Sequence, residues 1–303
     1  MAFKDLKKKA NALQELQKTL EETNKPAYGG KDERIWKPTT DKAGNGFAVI
    51  RFLPTVDGED APFVKLYSHG FQDKGGWYIE NSLTTLGQKD PCGQMNSADW
   101  ATGDEDLRNI VRKRSRKTNY YSNVYVVKDP GNPDNEGKVF IFRYGTKIFE
   151  KIMDYVNGNE VEGRKGVNVF DFWKGANFEL RVKKVAGYPN YDSSTFSAPG
   201  VLENFDDAQL ESIYNRQHKL QPLIAPDQFK TYEELQDRLN IVLGISTGSS
   251  KKAAAKAEEK EPVSIDEKPV FGTRPIAEQD DDEESVEVED DYSKSYFQSL
   301  LDD

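Results

Sequence analysis

A mainly β chain with added helices, of the α+β class, is predicted by three features of the sequence. Between about Ile35 and Val185 apolar residues fall in short runs, several with two-residue alternation. Clusters of Gly, Pro, Asn and Asp separate the runs, and the stretches with helical spacing lie between or after them. An antiparallel barrel or curved sheet fits this pattern. The 303 residues are 36% hydrophobic and 31% charged, which is polar for a chain folded throughout. One core with tails is therefore expected: an arm over 1–25, a core over 26–245, and a linker with tail over 246–303.

In the arm, Phe3, Leu6, Ala10, Leu13, Leu16 and Leu20 recur at spacings of three and four, with Lys4, Lys7, Lys8, Lys9 and Lys18 interspersed. This is a basic amphipathic helix that either packs on its own core or docks elsewhere. The predicted strands run Phe47 to Leu53, Phe63 to Tyr67, Trp77 to Glu80, Asn123 to Val127, Val139 to Tyr144 and Phe178 to Val185. Alternation in the last of these places Arg181 and Lys183 on an outer face. Helical spacing of Ile148, Phe149, Ile152, Met153, Tyr155 and Val156 predicts one helix. A capping box at Thr231-Tyr-Glu-Glu234 opens another, which stops at Gly244. From residue 246 the composition is Ser/Gly, then Lys/Ala/Glu, then acidic, which reads as linker and disordered tail.

No run of 18 apolar residues and no signal-type h-region occurs, so a soluble intracellular protein without a membrane role is expected. Cys92 has no second cysteine to pair with, and His69 and His218 offer little for a metal site. The net charge of −10 argues at first against a nucleic-acid partner. Its distribution reverses that: twelve acids and one lysine from Glu278 to Asp303 account for the excess, and the rest of the chain is close to neutral.

The densest basic segment is Arg108-Asn-Ile-Val-Arg-Lys-Arg-Ser-Arg-Lys117, followed by Thr118-Asn-Tyr-Tyr121. A single strand of nucleic acid exposes a phosphate track and flat base faces, so it requires cations beside aromatics, which this segment supplies. Arg112, Lys113, Arg114, Arg116, Lys117, Tyr120 and Tyr121 are the leading candidates, joined by Arg143, Tyr144, Arg181, Lys183, Tyr188 and Tyr191, with Trp77 and Trp100 as further aromatics. The alternative is a solvated basic loop beside core tyrosines. An enzyme is not expected: no P-loop, Gly-x-Ser-x-Gly or His-Glu-x-x-His occurs, and Asp104-Glu-Asp106 reads as a polar loop.

Several stretches together carry a family resemblance: Asp41-Lys-Ala-Gly-Asn-Gly-Phe-Ala-Val-Ile-Arg-Phe-Leu-Pro54, Ala61-Pro-Phe63, His69-Gly-Phe71, Trp77-Tyr-Ile-Glu80, Arg116-Lys-Thr118, Val126-Val-Lys-Asp-Pro130, Asn135-Glu-Gly-Lys-Val-Phe140 and Asn190-Tyr-Asp192. In order and spacing they resemble the gene 32 single-stranded DNA-binding proteins of T-even-type bacteriophages, over about residues 33 to 244. The resemblance implies an OB-fold core with a basic, aromatic cleft for single-stranded DNA, and a role in phage DNA replication, recombination and repair in the cytoplasm of an infected bacterium. It implies that the arm, through Lys4 and Lys7 to Lys9, mediates head-to-tail self-association. It further implies that the acidic tail, with Tyr296, Phe297, Leu300 and Leu301 at helical spacing, recruits phage DNA polymerase, helicase loader, primase-helicase and recombination proteins.

One departure concerns zinc, which members of that family hold with one histidine and three cysteines. His69 and Cys92 align with two ligands, but Ser82 and Met95 stand at the other two positions, so no cofactor is expected. Packing of Leu83, Leu86 and Met95 is expected to stabilise the region instead. A single-stranded RNA regulator or an acidic-tail interaction scaffold is the alternative function.

Overall fold

A computed structural model describes residues 32–245 apart from 160 and 162. The arm, with Lys4, Lys7, Lys8 and Lys9, and the tail, with Tyr296, Phe297, Leu300 and Leu301, lie outside the described residues. The chain divides into two units, residues 1–35 and 36–303. In the described part of the first, Arg34 grips the carboxylate of Asp32 at 2.8 Å. Strand β1 (Ile35–Trp36) straddles the boundary; the remaining elements belong to the second unit.

That unit is organised on β5 (Lys117–Lys128). The first half of β5 pairs antiparallel with β3 (Phe63–Asp73), from Ser68↔Lys117 to Phe63↔Ser122. Its second half pairs with β2 (Gly46–Phe52), and its other edge takes β6 (Val139–Tyr144). A register shift at Val49/Ile50 bends β2 where it leaves β5. Strand β4 (Gly76–Asn81) forms a hairpin with β3. Beyond β2 lies β7 (Phe178–Val185), which pairs with β8 (Tyr188–Asn190) and β9 (Thr195–Phe196). Five α-helices are described: α1 (Pro91–Ala101), α2 (Glu105–Lys113), α3 (Thr146–Asn157), α4 (Asp207–Tyr214) and α5 (Tyr232–Leu243). The architecture is mixed α+β, as the sequence predicts.

All six predicted strands and both core helices are present. Strands β3 and β5 run longer than expected because polar residues inside them find partners. Asn119 Nδ2 donates to Ser68 Oγ at 3.0 Å, the Ser122 and Tyr144 hydroxyls lie 2.9 Å apart, and Asn123 exchanges two bonds with the His218 backbone. Polar groups paired in this way do not interrupt a buried strand. Helices α1, α2 and α4 were not predicted. The composition of α1, Pro-Cys-Gly-Gln-Met-Asn-Ser-Ala-Asp-Trp-Ala, carries no apolar stripe, so periodicity could not disclose it. Asp104-Glu-Asp106 is not a loop: the Asp104 carboxylate accepts from the amides of Asp106 (2.8 Å) and Leu107 (3.3 Å) and caps α2.

Three apolar clusters result. The largest joins Ala48, Ile50 and Phe52 of β2, Tyr120, Val124 and Val126 of β5, and Phe178, Leu180 and Val182 of β7 with Ile148, Ile152 and Val156 of α3. A second packs Leu53, Tyr125 and Val139 against Leu202 and α4. The third lies under the β3–β4 hairpin, where Phe71 and Tyr78 meet Cys92, Leu239 and Val242. Gly75 makes this last junction possible: its amide donates to the Val242 carbonyl at 2.7 Å, and a Cβ there would collide with the Ile241 carbonyl.

Arg51 is the largest fully buried side chain of the second unit's sheet, at 2% exposure. Its guanidinium donates to Asn177 Oδ1 (2.9 Å), the Asp171 carbonyl (3.1 Å) and the Gly200 carbonyl (2.8 Å), tying two loop segments to β2. Burial lowers its pKa to about 10, opposed by Asp171 and Glu203, so it stays charged near neutrality. Arg51→Met is therefore expected to destabilise the fold by roughly 3 kcal/mol, because three acceptors lose a charged donor. Urea unfolding measures this; a loss below about 1 kcal/mol would contradict the role assigned to the arginine.

Candidate nucleic-acid interface

Alternation along β5 sorts the candidate residues onto two faces. Tyr120, Val124 and Val126 point into the main core, so Lys117, Asn119 and Tyr121 face away from it. Cross-strand pairing sets Tyr121 beside Arg143 of β6, and Lys117 beside Ser68 of β3. Register through β3 places Trp77 and Ile79 of β4, both more than 40% exposed, on the same face as Lys117. Farther along, Phe47 of β2 pairs with Arg181 of β7, whose guanidinium carbon lies 5.0 Å from the Phe47 ring centre. Arg181 and Lys183 are exposed, as predicted. The β7–β8 turn carries Tyr188 outward, whereas Tyr191 packs against the main core and is half-buried.

Arg116 occupies a different position. Its guanidinium carbon sits 3.9 Å from the centre of the Tyr67 ring, and Lys65 Nζ lies 4.9 Å from the same ring. Lys65 and Tyr67 were missed in the sequence because the cation and the ring sit two residues apart on a strand that looks merely structural. A second group forms where α1 meets α2: Trp100, 45% exposed, has the guanidinium carbons of Arg108 and Arg112 at 5.2 and 5.6 Å from its ring. Arg112 also pairs with Glu105 at 2.9 Å. Lys113, at the end of α2, is exposed.

Four sequence candidates need correction. Tyr120 and Tyr144 are 6% and 4% exposed; Tyr120 stacks on Phe149 at 3.9 Å between centres and on Tyr144 at 5.8 Å, so its ring faces are spent inside the protein. Tyr121 is 8% exposed, and burial raises its hydroxyl pKa against the pull of Arg143. These rings are core because even positions of β5 meet α3 and the odd position at 121 lies under neighbouring side chains. Arg114 is 6% exposed and points inward.

The inward turn of Arg114 creates a buried polar joint. Its Nη2 meets Asp99 Oδ2 at 2.6 Å and its Nη1 meets Met95 Sδ at 3.0 Å, while its carbonyl accepts from Asn96 Nδ2 at 3.0 Å. His69 Nδ1 lies 3.2 Å from that same carbonyl, and its Nε2 lies 3.2 Å from Asp90 Oδ1. Asp90 in turn accepts from the amides of Gly93 (2.9 Å) and Leu83 (3.2 Å), capping α1. Of the three residues expected to pack here, Met95 joins the third apolar cluster, Leu83 is buried and Leu86 is half-buried, and the polar contacts organise the joint. The donors do not fit zinc: a serine hydroxyl, a thioether and an arginine stand among them, and no group of three His, Cys, Asp or Glu is placed to hold a metal among the described residues.

Desolvation opposes protonation of His69, but the Asp90 carboxylate and Cys92 raise its pKa to about 9 from 6.5, and Asp90 is correspondingly lowered by His69. The stability this gives is fully present below pH 6.5 and is lost as pH rises through about 9. Urea midpoints at pH 7 and pH 10 are expected to differ more for the parent chain than for His69→Gln; an equal difference would show that other groups cause it.

The described helices include none long and apolar enough to cross a membrane. A family model described as gp32 DNA binding protein like matches residues 44–243, the stretch that contains β2 to β9, the polar joint and α5. A single-stranded DNA-binding protein of Enterobacteria phage T2 is 40% identical over 242 residues, covering 78% of this chain and 79% of its own. The protein of the same name from Enterobacteria phage T4 is 39% identical over 238 residues, with 77% and 78% covered. A matched stretch of this extent includes every strand from β2 to β9, and the chain belongs to the gp32 DNA binding protein like family.

Proposed function

We propose that this chain binds and coats single-stranded DNA without sequence preference in phage replication, recombination and repair, and that it is not an enzyme. The observation that carries the reading is the Arg116 guanidinium held over Tyr67 with Lys65 alongside. Tyr67 is itself buried, at 9% exposure, so its ring orients the Arg116 and Lys65 charges for phosphate, and the exposed Trp100 ring offers a base a flat neighbour. The Trp100–Arg108–Arg112 group and the Phe47–Arg181 pair also set guanidiniums against rings, and Lys113, Lys117, Arg143, Lys183 and Tyr188 add charge or ring surface elsewhere on the sheet and helices. Family membership and the names of the phage relatives support the same partner. An OB-like arrangement is our reading of the bent β2 and of β5 shared among three strands.

Cooperative coating through the lysine-rich arm and recruitment of replication proteins through the acidic tail complete the reading, supported by the charge and apolar spacing of those segments. Single strands are expected to bind far more tightly than duplex or RNA of equal length and to quench intrinsic fluorescence; equal affinity for duplex would exclude the proposal. Because each phosphate neutralised contributes a log-log salt slope of about −0.7, Arg116→Ala is expected to flatten that slope, whereas Trp100→Ala weakens binding with little change in slope. Deleting residues 1–20 is expected to abolish clustering on long strands while sparing a short oligonucleotide. Clustering that survives would assign the arm to the fold.

A further inference from the structure

Arg114 stands in the densest cationic run of the chain, yet it is the member withdrawn from solvent. Every position at which the related family places a zinc ligand is in contact with Arg114 or with the pair beside it. Met95 Sδ receives a guanidinium bond, while His69 Nδ1 and Cys92 Sγ approach the Arg114 carbonyl at 3.2 and 4.0 Å. Ser82, buried, helps to lower the pKa of the Asp90 carboxylate that faces His69, and its hydroxyl lies 2.8 Å from that of Thr84. The joint links β3 through His69, the start of α1 through Asp90, the end of α1 through Asp99, and the junction of α2 with β5 through Arg114 itself. A tetrahedral metal would connect the same segments; here the Arg114 carbonyl takes the contacts of His69 and Cys92, and its guanidinium takes those of Met95 and Asp99, beside which a thioether and a serine hydroxyl are poor zinc ligands.

We propose that an internal clasp of Arg114, Asp99, His69 and Asp90 replaces the metal in this chain, and that Arg114 is a positioning residue for strand binding. This rests on the single-strand reading above. The clasp fixes α1 and α2 against β3, and so sets the Trp100–Arg108–Arg112 group relative to Arg116, two residues beyond Arg114 on the way into β5. Arg114 is held on both its backbone and its side chain, a geometry that leaves one orientation for the segment between α2 and β5.

The test uses the full chain produced with zinc in the medium. Elemental analysis is expected to find far less than one zinc per chain, and a chelator to leave the melting temperature unchanged; one zinc per chain would overturn the replacement. For the positioning role, Arg114→Met and Arg114→Lys are compared by single-strand titration at several salt concentrations, well below each variant's melting temperature. Arg114→Met is expected to weaken binding by roughly three- to tenfold with the salt slope unchanged, and Arg114→Lys, which keeps a cation for Asp99, to recover part of the loss. A slope made shallower by about 0.7 would mean that Arg114 touches phosphate directly, and unchanged affinity would confine it to stability; either result overturns the positioning role. If the parent chain itself fails to prefer single strands, the functional reading fails, while the metal analysis still decides the clasp.

Discussion

Strand β5 is hydrogen-bonded along both edges, and most of the molecule follows from that constraint. Three different strands claim it, β3 and β2 in succession on one side and β6 on the other. A strand in this position is held in register along its whole length, and a slip of one residue would exchange its faces. The main core then receives Tyr120, Val124 and Val126, and the opposite face receives Lys117 and Tyr121. Arg51 of β2, paired with Tyr125 of β5, adds the loops that cover the second cluster.

The exposed arginines are held locally by weak partners. Arg181 rests on Phe47 and pairs with Glu179 at 2.7 Å, and Arg112 lies near Trp100 while pairing with Glu105. Surface ion pairs of this kind contribute at most about 1 kcal/mol, so a phosphate can displace the carboxylate at little cost. The aromatic contact persists when that happens and keeps the guanidinium oriented.

The β3–β4 hairpin, α1 and α5 form a small layer of their own, joined by the third apolar cluster, by the Gly75 contact and by the polar joint at Arg114. Apolar area alone is modest here. Direction comes from the directional polar contacts of His69, Asn96 and Arg114, which link α1 and the end of α2 to β3. The His69–Asp90 pair is buried and the Arg114 side of the Arg114–Asp99 pair is too, while Asp99 keeps 26% of its side chain exposed, so removing Asp90 or Asp99 would leave a buried cation without its carboxylate.

The sequence by itself determined the α+β class, the six main strands, α3 with its apolar stripe, and α5 with its Thr231–Glu234 box and Gly244 stop, because each depends on spacing or capping within a few residues. It also marked the cations at 112, 113, 114, 116, 117, 143, 181 and 183, since charge density is a local property. Only the tertiary structure decided which members of that set face solvent. Arg114 turned inward because Asp99 and Met95, distant by 15 and 19 residues, wait for it there, and Tyr120 because Phe149 offers a parallel ring. Lys65 and Tyr67 joined the site for the converse reason: their partner Arg116 arrives only when β3 and β5 pair. A side chain's face is read from its own strand, but what covers that face comes from segments that only folding brings near.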